Sequence, residues 1–163
     1  MIHQLKFGLL LLATTLSTQV FGQNKSEKYL KPELVGTWEF SILKDHEGHK
    51  IDTIITSMGK ELVGNPIRMY RSDGTYAIKF TPQNTDNGQW YFDNKNQSII
   101  QLFYYSKPYS TTANYLISLG HAKKDENGDY YEIITTKVIE LTENNLTILE
   151  REGRQRTFIR KQN

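Results

Sequence analysis

The feature that most constrains this chain is a period-two alternation of apolar and polar residues from Leu34 to Lys161, broken by turn residues at short intervals. In the first run Trp38, Phe40 and Ile42 alternate with Thr37, Glu39 and Ser41, which describes a strand with one buried face. Runs at 67–71 and 75–80 flank Ser72-Asp73-Gly74, and Asp-Gly between such runs is a strong hairpin signal. It places Tyr76, Ile78 and Phe80 on one face. Further runs follow at 88–93, 98–106, 113–122, 130–141, 146–151 and 157–161, separated by Asp93-Asn94-Lys95-Asn96, Pro108, KKDENGD (123–129) and Glu152-Gly153. About eight strands joined in order by short turns describe an all-β, antiparallel chain, and an up-and-down barrel closes its own edges. A two-sheet sandwich is the alternative; it requires long crossover connections.

Only one long connection is evident, KIDTIITSMGKELVGNP at 50–66. Ile51, Ile54, Ile55, Met58 and Leu62 recur at helical spacing, with Asp52 as a cap and Gly64 and Pro66 as a stop. This favours a short amphipathic helix between the first two strands, set as a lid over one barrel opening. The β-branched run Thr53–Thr56 suits a strand followed by an irregular loop instead.

The N-terminal flank reads as an address. Residues 1–6 carry one positive charge, FGLLLLATTL (7–16) is apolar, and Val20-Phe21-Gly22 precedes a cleavage point at Gln23. Ten residues rising about 1.5 Å each are too short for a hydrocarbon core about 30 Å thick, so 1–22 is expected to be a signal peptide and not a membrane span. Residues 23–33 form a polar leader, and 34–163 the folded domain. With no cysteine in the sequence, neither a disulfide nor a lipid anchor on an N-terminal cysteine is expected. The expected destination is the periplasm or the medium. A formal net charge of +2 gives no reason to expect a nucleic-acid partner.

Taken together, L-V-G-T-W (34–38), Y-R-S-D-G-T-Y (70–76), G-Q-W-Y-F-D (88–93) and YEIITTKVIELTENNLTI (131–148) resemble, in their order, the small exported lipocalin-like domain proteins of Bacteroidota. The resemblance spans Leu34 to about Lys161. It implies an eight-stranded calyx around an apolar cavity, in which the Gly-x-Trp tryptophan, Trp38, packs across the closed end beneath a late arginine, here Arg160. The second lipocalin block, Thr-Asp-Tyr, is broken at Thr85-Asp86-Asn87, so the ligand chemistry of transport lipocalins does not carry over.

Ten Tyr, seven Phe and two Trp give the chain the means to line a pocket with apolar walls and a few hydroxyls. Phe40, Tyr76, Phe80, Trp90, Tyr104 and Tyr115 are the candidate ligand contacts, with Ile55 and Met58 at the mouth. The competing reading is that these rings fill a barrel whose interior is just wide enough for side chains. Some tyrosines in LFYY (102–105) and Tyr130-Tyr131 must then face outward, towards a protein partner.

Other clusters read more simply as turns. DHEGHKID (45–52) holds two imidazoles among carboxylates, but lacks the spacing of a helical zinc motif and reads as a polar loop, so no metal site is expected. Asp125-x-Asn127-x-Asp129 has the spacing of calcium ligands, without the glycine and glutamate that complete such a loop. Asp52-Thr53-Ile54 matches a short O-glycosylation acceptor pattern. No nucleophile elbow, cysteine nucleophile or phosphate-binding glycine loop is present, so no catalysis and no cofactor are expected. The expected function is to hold a small apolar or amphipathic molecule. The alternative is an envelope-associated interaction module with a packed barrel.

Overall fold

The computed structural model describes residues 29–56 and 59–162. The expected signal peptide, the part of the expected leader before Tyr29, and Met58 lie outside the described residues. Eight strands form the barrel: β1 (Gly36–Lys44), β4 (Ile67–Tyr70), β5 (Thr75–Lys79), β6 (Thr85–Asp93), β7 (Ser98–Tyr104), β9 (Tyr130–Leu141), β10 (Asn145–Leu149) and β11 (Gln155–Arg160). Each pairs antiparallel with the next, and β11 returns to β1. A ladder closed in this way is an up-and-down barrel, and the two-sheet alternative falls away.

The alternation read from the sequence sets which side chains fill it. Trp38, Tyr70, Tyr76, Ile78, Trp90, Phe92, Ile99, Val138, Leu146, Ile148 and Phe158 form one buried cluster. Their cross-strand partners obey the same parity: Tyr70 faces Tyr76, Phe92 faces Ile99, and Leu146 faces Phe158. The Asp-Gly hairpin forms as expected. Gly74 supplies φ +81°, and the Thr75 amide and hydroxyl both donate to Asp73.

Because the strands run alternately up and down, their connections sort to two ends. The turns at 71–74, 94–97 and 142–144 lie at the end where β1 starts. The segments 45–66, 80–84, 105–129 and 150–154 lie at the other. Both long insertions therefore decorate a single opening.

Those two insertions depart from the sequence expectations. The 50–66 segment is not a helical lid; it folds as a hairpin of β2 (Thr53–Thr56) and β3 (Gly59–Leu62), outside the barrel ladder. Thr53-Ile54-Ile55-Thr56 is β-branched at every position, and that preference outweighs the helical spacing of the apolar residues. Conversely, the strand expected at 113–122 is a helix, α1 (Thr111–Ser118). Ser110 caps it, accepting the Ala113 amide at 3.1 Å, and Gly120 with φ +73° ends it. Ala113, Leu116 and Ile117 fall on its inner side at helical spacing. A two-residue strand, β8 (Lys123–Lys124), then pairs with the start of β9.

Candidate functional site

One end of the barrel is closed by a compact unit. Trp38 is fully buried, and its indole N–H donates to the Leu34 carbonyl at 2.8 Å. Leu34 itself ends a short 3₁₀ turn, Pro32–Leu34, and is also fully buried. The Arg160 guanidinium lies 4.2 Å from the Trp38 ring centre and donates to the carbonyls of Val35, Glu33 and Glu143. Gly36 has φ +146°, and a Cβ there would stand 2.4 Å from Arg160 Nη1. The glycine of the Gly-x-Trp motif thus makes room for the arginine that seals the tryptophan. At the same end Tyr70 and Trp90 meet edge to face at 5.2 Å, and the Trp90 N–H donates to the Arg71 carbonyl at 3.1 Å.

Two further arginines rise from the floor towards the opening, each above an aromatic ring. Arg68 is 5.2 Å from the Phe158 ring centre, and Arg156 is 5.2 Å from that of Phe40. Arg156 is matched by Glu150, which accepts from Nε at 2.5 Å, and by the Gly64 carbonyl at 2.9 Å. Among the described residues Arg68 donates to the Tyr70 hydroxyl, at 3.2 Å, and its Nε is buried without a hydrogen-bond partner.

The half of the barrel nearest the insertions differs from the floor. A cleft of about 570 Å³ runs between the start of β6, the end of β7, β9 and α1, reaching Asp86, Phe103, Tyr105, Leu116 and Glu132. A second, of about 580 Å³, lies beside β9 and β10 and reaches Arg68, Thr136 and Ile148. The pairing explains the second opening. β10 joins β9 only as far as the Leu149–Lys137 pair, and β8 covers β9 only at Tyr130 and Tyr131. Ile134 has inward parity yet is 41% exposed, as expected beside such a gap.

The mouth also carries titratable groups removed from water. Burial raises the Asp86 carboxyl above its ordinary range. The Tyr105 hydroxyl donates to Glu132, and burial together with that carboxylate raises it. Tyr76, one layer deeper, is raised by burial and by the charge of Asp86, and its hydroxyl has no partner. The amide Nε2 of the buried Gln101 is likewise unpartnered.

The candidate ligand residues are spread over several environments. Tyr76 and Trp90 lie in the buried interior, where the Tyr76 ring packs over Gly88. Phe40 is half-buried, edge to face with Phe158. Tyr104 turns to the outer face, 5.4 Å from the Tyr131 ring, while bordering the first cleft. Phe80 is 48% exposed, Tyr115 63% on α1, and Ile55 88% on the hairpin. The structure does not gather them around one enclosed space. The polar residues that reach the clefts, Arg68, Asp86 and Glu132, were not anticipated, although each occupies inward parity beside a recognisable core residue. The 45–52 loop is held by its own backbone: Asp45 accepts the amides of Glu47 and His49, both at 2.9 Å, as an exposed turn does. Asp45, Glu47 and His49 do come within reach of one another there.

The fold and site define a closed eight-stranded antiparallel barrel, sealed at one end and open at the other. No family model and no curated protein matches the chain. Among solved structures it is similar to a lipocalin-like protein from Bacteroides uniformis, at 17% identity and a TM-score of 0.46, covering 79% of this chain and 99% of that one. An uncharacterised protein from Bacteroides eggerthii matches at 16% identity and a TM-score of 0.45, over 78% and 99% of the two chains. A DUF4847 family protein from Bacteroides vulgatus matches at 14% and 0.42, over 81% and 96%. Among the described residues no helix is long and apolar enough to cross a membrane.

Proposed function

We propose that this protein holds a small amphipathic molecule in the open half of its barrel, without chemical change to it. The observation that carries the reading is the pair of clefts of about 570 and 580 Å³ that border the mouth, set against a smaller hollow of about 440 Å³ at the floor-side turn of 71–74. Clefts of that size suit a small ligand, and they combine rings such as Phe103 with a few placed polar groups. Of the earlier candidates, Tyr104 borders the first of these clefts. Apolar burial supplies about 25 cal/mol for each Å² removed from water, set against an association cost of about 4 kcal/mol or more. The proposed setting is the periplasm or the medium, reached through a signal peptide at 1–22.

The test is native mass spectrometry of the gently purified mature protein, with solvent extraction of anything that travels with it. The reading expects a defined mass increment that organic extraction removes. An unadorned mass, together with no binding of medium-chain amphiphiles in solution, would overturn it in favour of an interaction module.

A further inference from the structure

The three inward arginines invite a comparison. All stand above aromatic rings, at 4.2 Å for Arg160 on Trp38 and 5.2 Å for both Arg156 on Phe40 and Arg68 on Phe158. Arg160 is satisfied by three backbone carbonyls. Arg156 is satisfied by a carboxylate and a carbonyl. Arg68, across β1 from them on β4, has one neutral hydroxyl at 3.2 Å, and among the described residues no carboxylate pairs with it. Its Nε is buried and unpartnered. A guanidinium drawn from water in this way is costly unless an anion completes it.

Its surroundings are built for such an anion. Arg68 reaches the cleft beside β9 and β10, which Arg151 and Arg154 also line. Glu150, the one carboxylate lining that cleft among the described residues, is already engaged by Arg156. Lys137 borders the same space, but its ammonium donates to the Asn96 carbonyl at 2.6 Å. Ile148 and Leu149 supply apolar wall beside the cations. We infer that this cleft selects an oxyanion head group on an apolar body, with Arg68 as the residue that reads the head. The fork of the guanidinium matches a carboxylate or phosphonate, and the neighbouring isoleucine and leucine match a hydrocarbon chain. This inference rests on the proposed function and adds the chemical class of the ligand.

The experiment compares three probes of equal chain length, decanoate, decylphosphonate and decanol, by calorimetric titration of the mature protein and of Arg68→Met. The wild-type protein binds at least one of the two anions more tightly than decanol by about tenfold or more, the worth of one charge-assisted hydrogen bond. In Arg68→Met that preference disappears while decanol binding persists. Equal affinity for all three in the wild type would overturn the anion reading and leave a neutral ligand in the same cleft. A preference that survives in Arg68→Met would remove Arg68 from the role. Failure of all three probes would overturn the proposed function together with the inference. The wild-type comparison stands by itself if Arg68→Met does not fold.

Discussion

The Trp38 seal and the inner wall that rises from it are built by the same eight strands, yet they treat buried polarity in opposite ways. At the floor every strong donor seen has a partner: the Trp38 N–H has Leu34, and Arg160 has Val35, Glu33 and Glu143. Beside it, on the inner wall, Arg68 Nε, the Tyr76 hydroxyl and Gln101 Nε2 have none, although their strands pair them with Trp38, Tyr70 and Trp90. Native proteins leave few such groups, and each costs about 1–3 kcal/mol. The difference is between a seal completed within the chain and inward groups that, on the proposed reading, a ligand completes.

The largest test of that division is Trp38→Ala. It empties the floor, and a loss of about 3–5 kcal/mol is expected in urea unfolding. A loss below 1 kcal/mol would mean that the floor is not the stabilising half. Next comes Gly36→Ala, in which the new methyl meets Arg160 Nη1 at 2.4 Å on a backbone with φ +146°. It should lower stability by about 1–3 kcal/mol, and pairing it with Arg160→Met should be less than additive. Full additivity would separate the glycine from the arginine.

Acid titration sharpens the same comparison. Hydrogen bonds from the Thr75 side chain and amide lower Asp73, and those from Asn96 lower Asp93, both in floor-side turns. A lowered carboxyl contributes stability above its unfolded value and loses it as pH falls through the folded value. Asp86, raised by burial in the mouth, works the other way: its contribution is present at low pH and is lost as pH rises through its folded value. Asp73→Asn should therefore flatten the acid limb of the stability curve, whereas Asp86→Asn should stabilise the protein at neutral pH. Melting temperatures across pH 3–8 (roughly the range in which native carboxylates titrate) check both signs.

The smallest effects belong to the insertions. Ile55→Ser on the hairpin and Tyr115→Ser on α1 remove exposed side chains and should change stability by no more than about 0.5 kcal/mol. A larger loss at either would show that the insertions help to hold the barrel closed.

The floor was legible in the sequence because its signals are local. Gly36-x-Trp38, Asp73-Gly74 and strict alternation each specify a conformation within a few residues. The insertions were harder because their signals compete. Thr53–Thr56 carries strand propensity under helical spacing, while Ala113, Leu116 and Ile117 carry helical spacing inside a run that also reads as a strand. Only the pairing of Thr53 with Leu62, and the Ser110 cap, decide them. The mouth was the least legible part. Asp86, Glu132 and Arg68 look like solvent-facing charges until parity places them inside, and no local pattern says which inward charge lacks a partner.

The central claim is that ligand binding belongs to the mouth and not to the floor. Amide chemical-shift mapping during titration with decanoate tests it most directly. Shifts should concentrate at Asp86, Phe103, Glu132, Thr136 and Ile148, while Leu34, Trp38, Tyr70 and Leu146 stay still. Shifts centred on the floor residues, or none anywhere at saturating decanoate, would contradict the account.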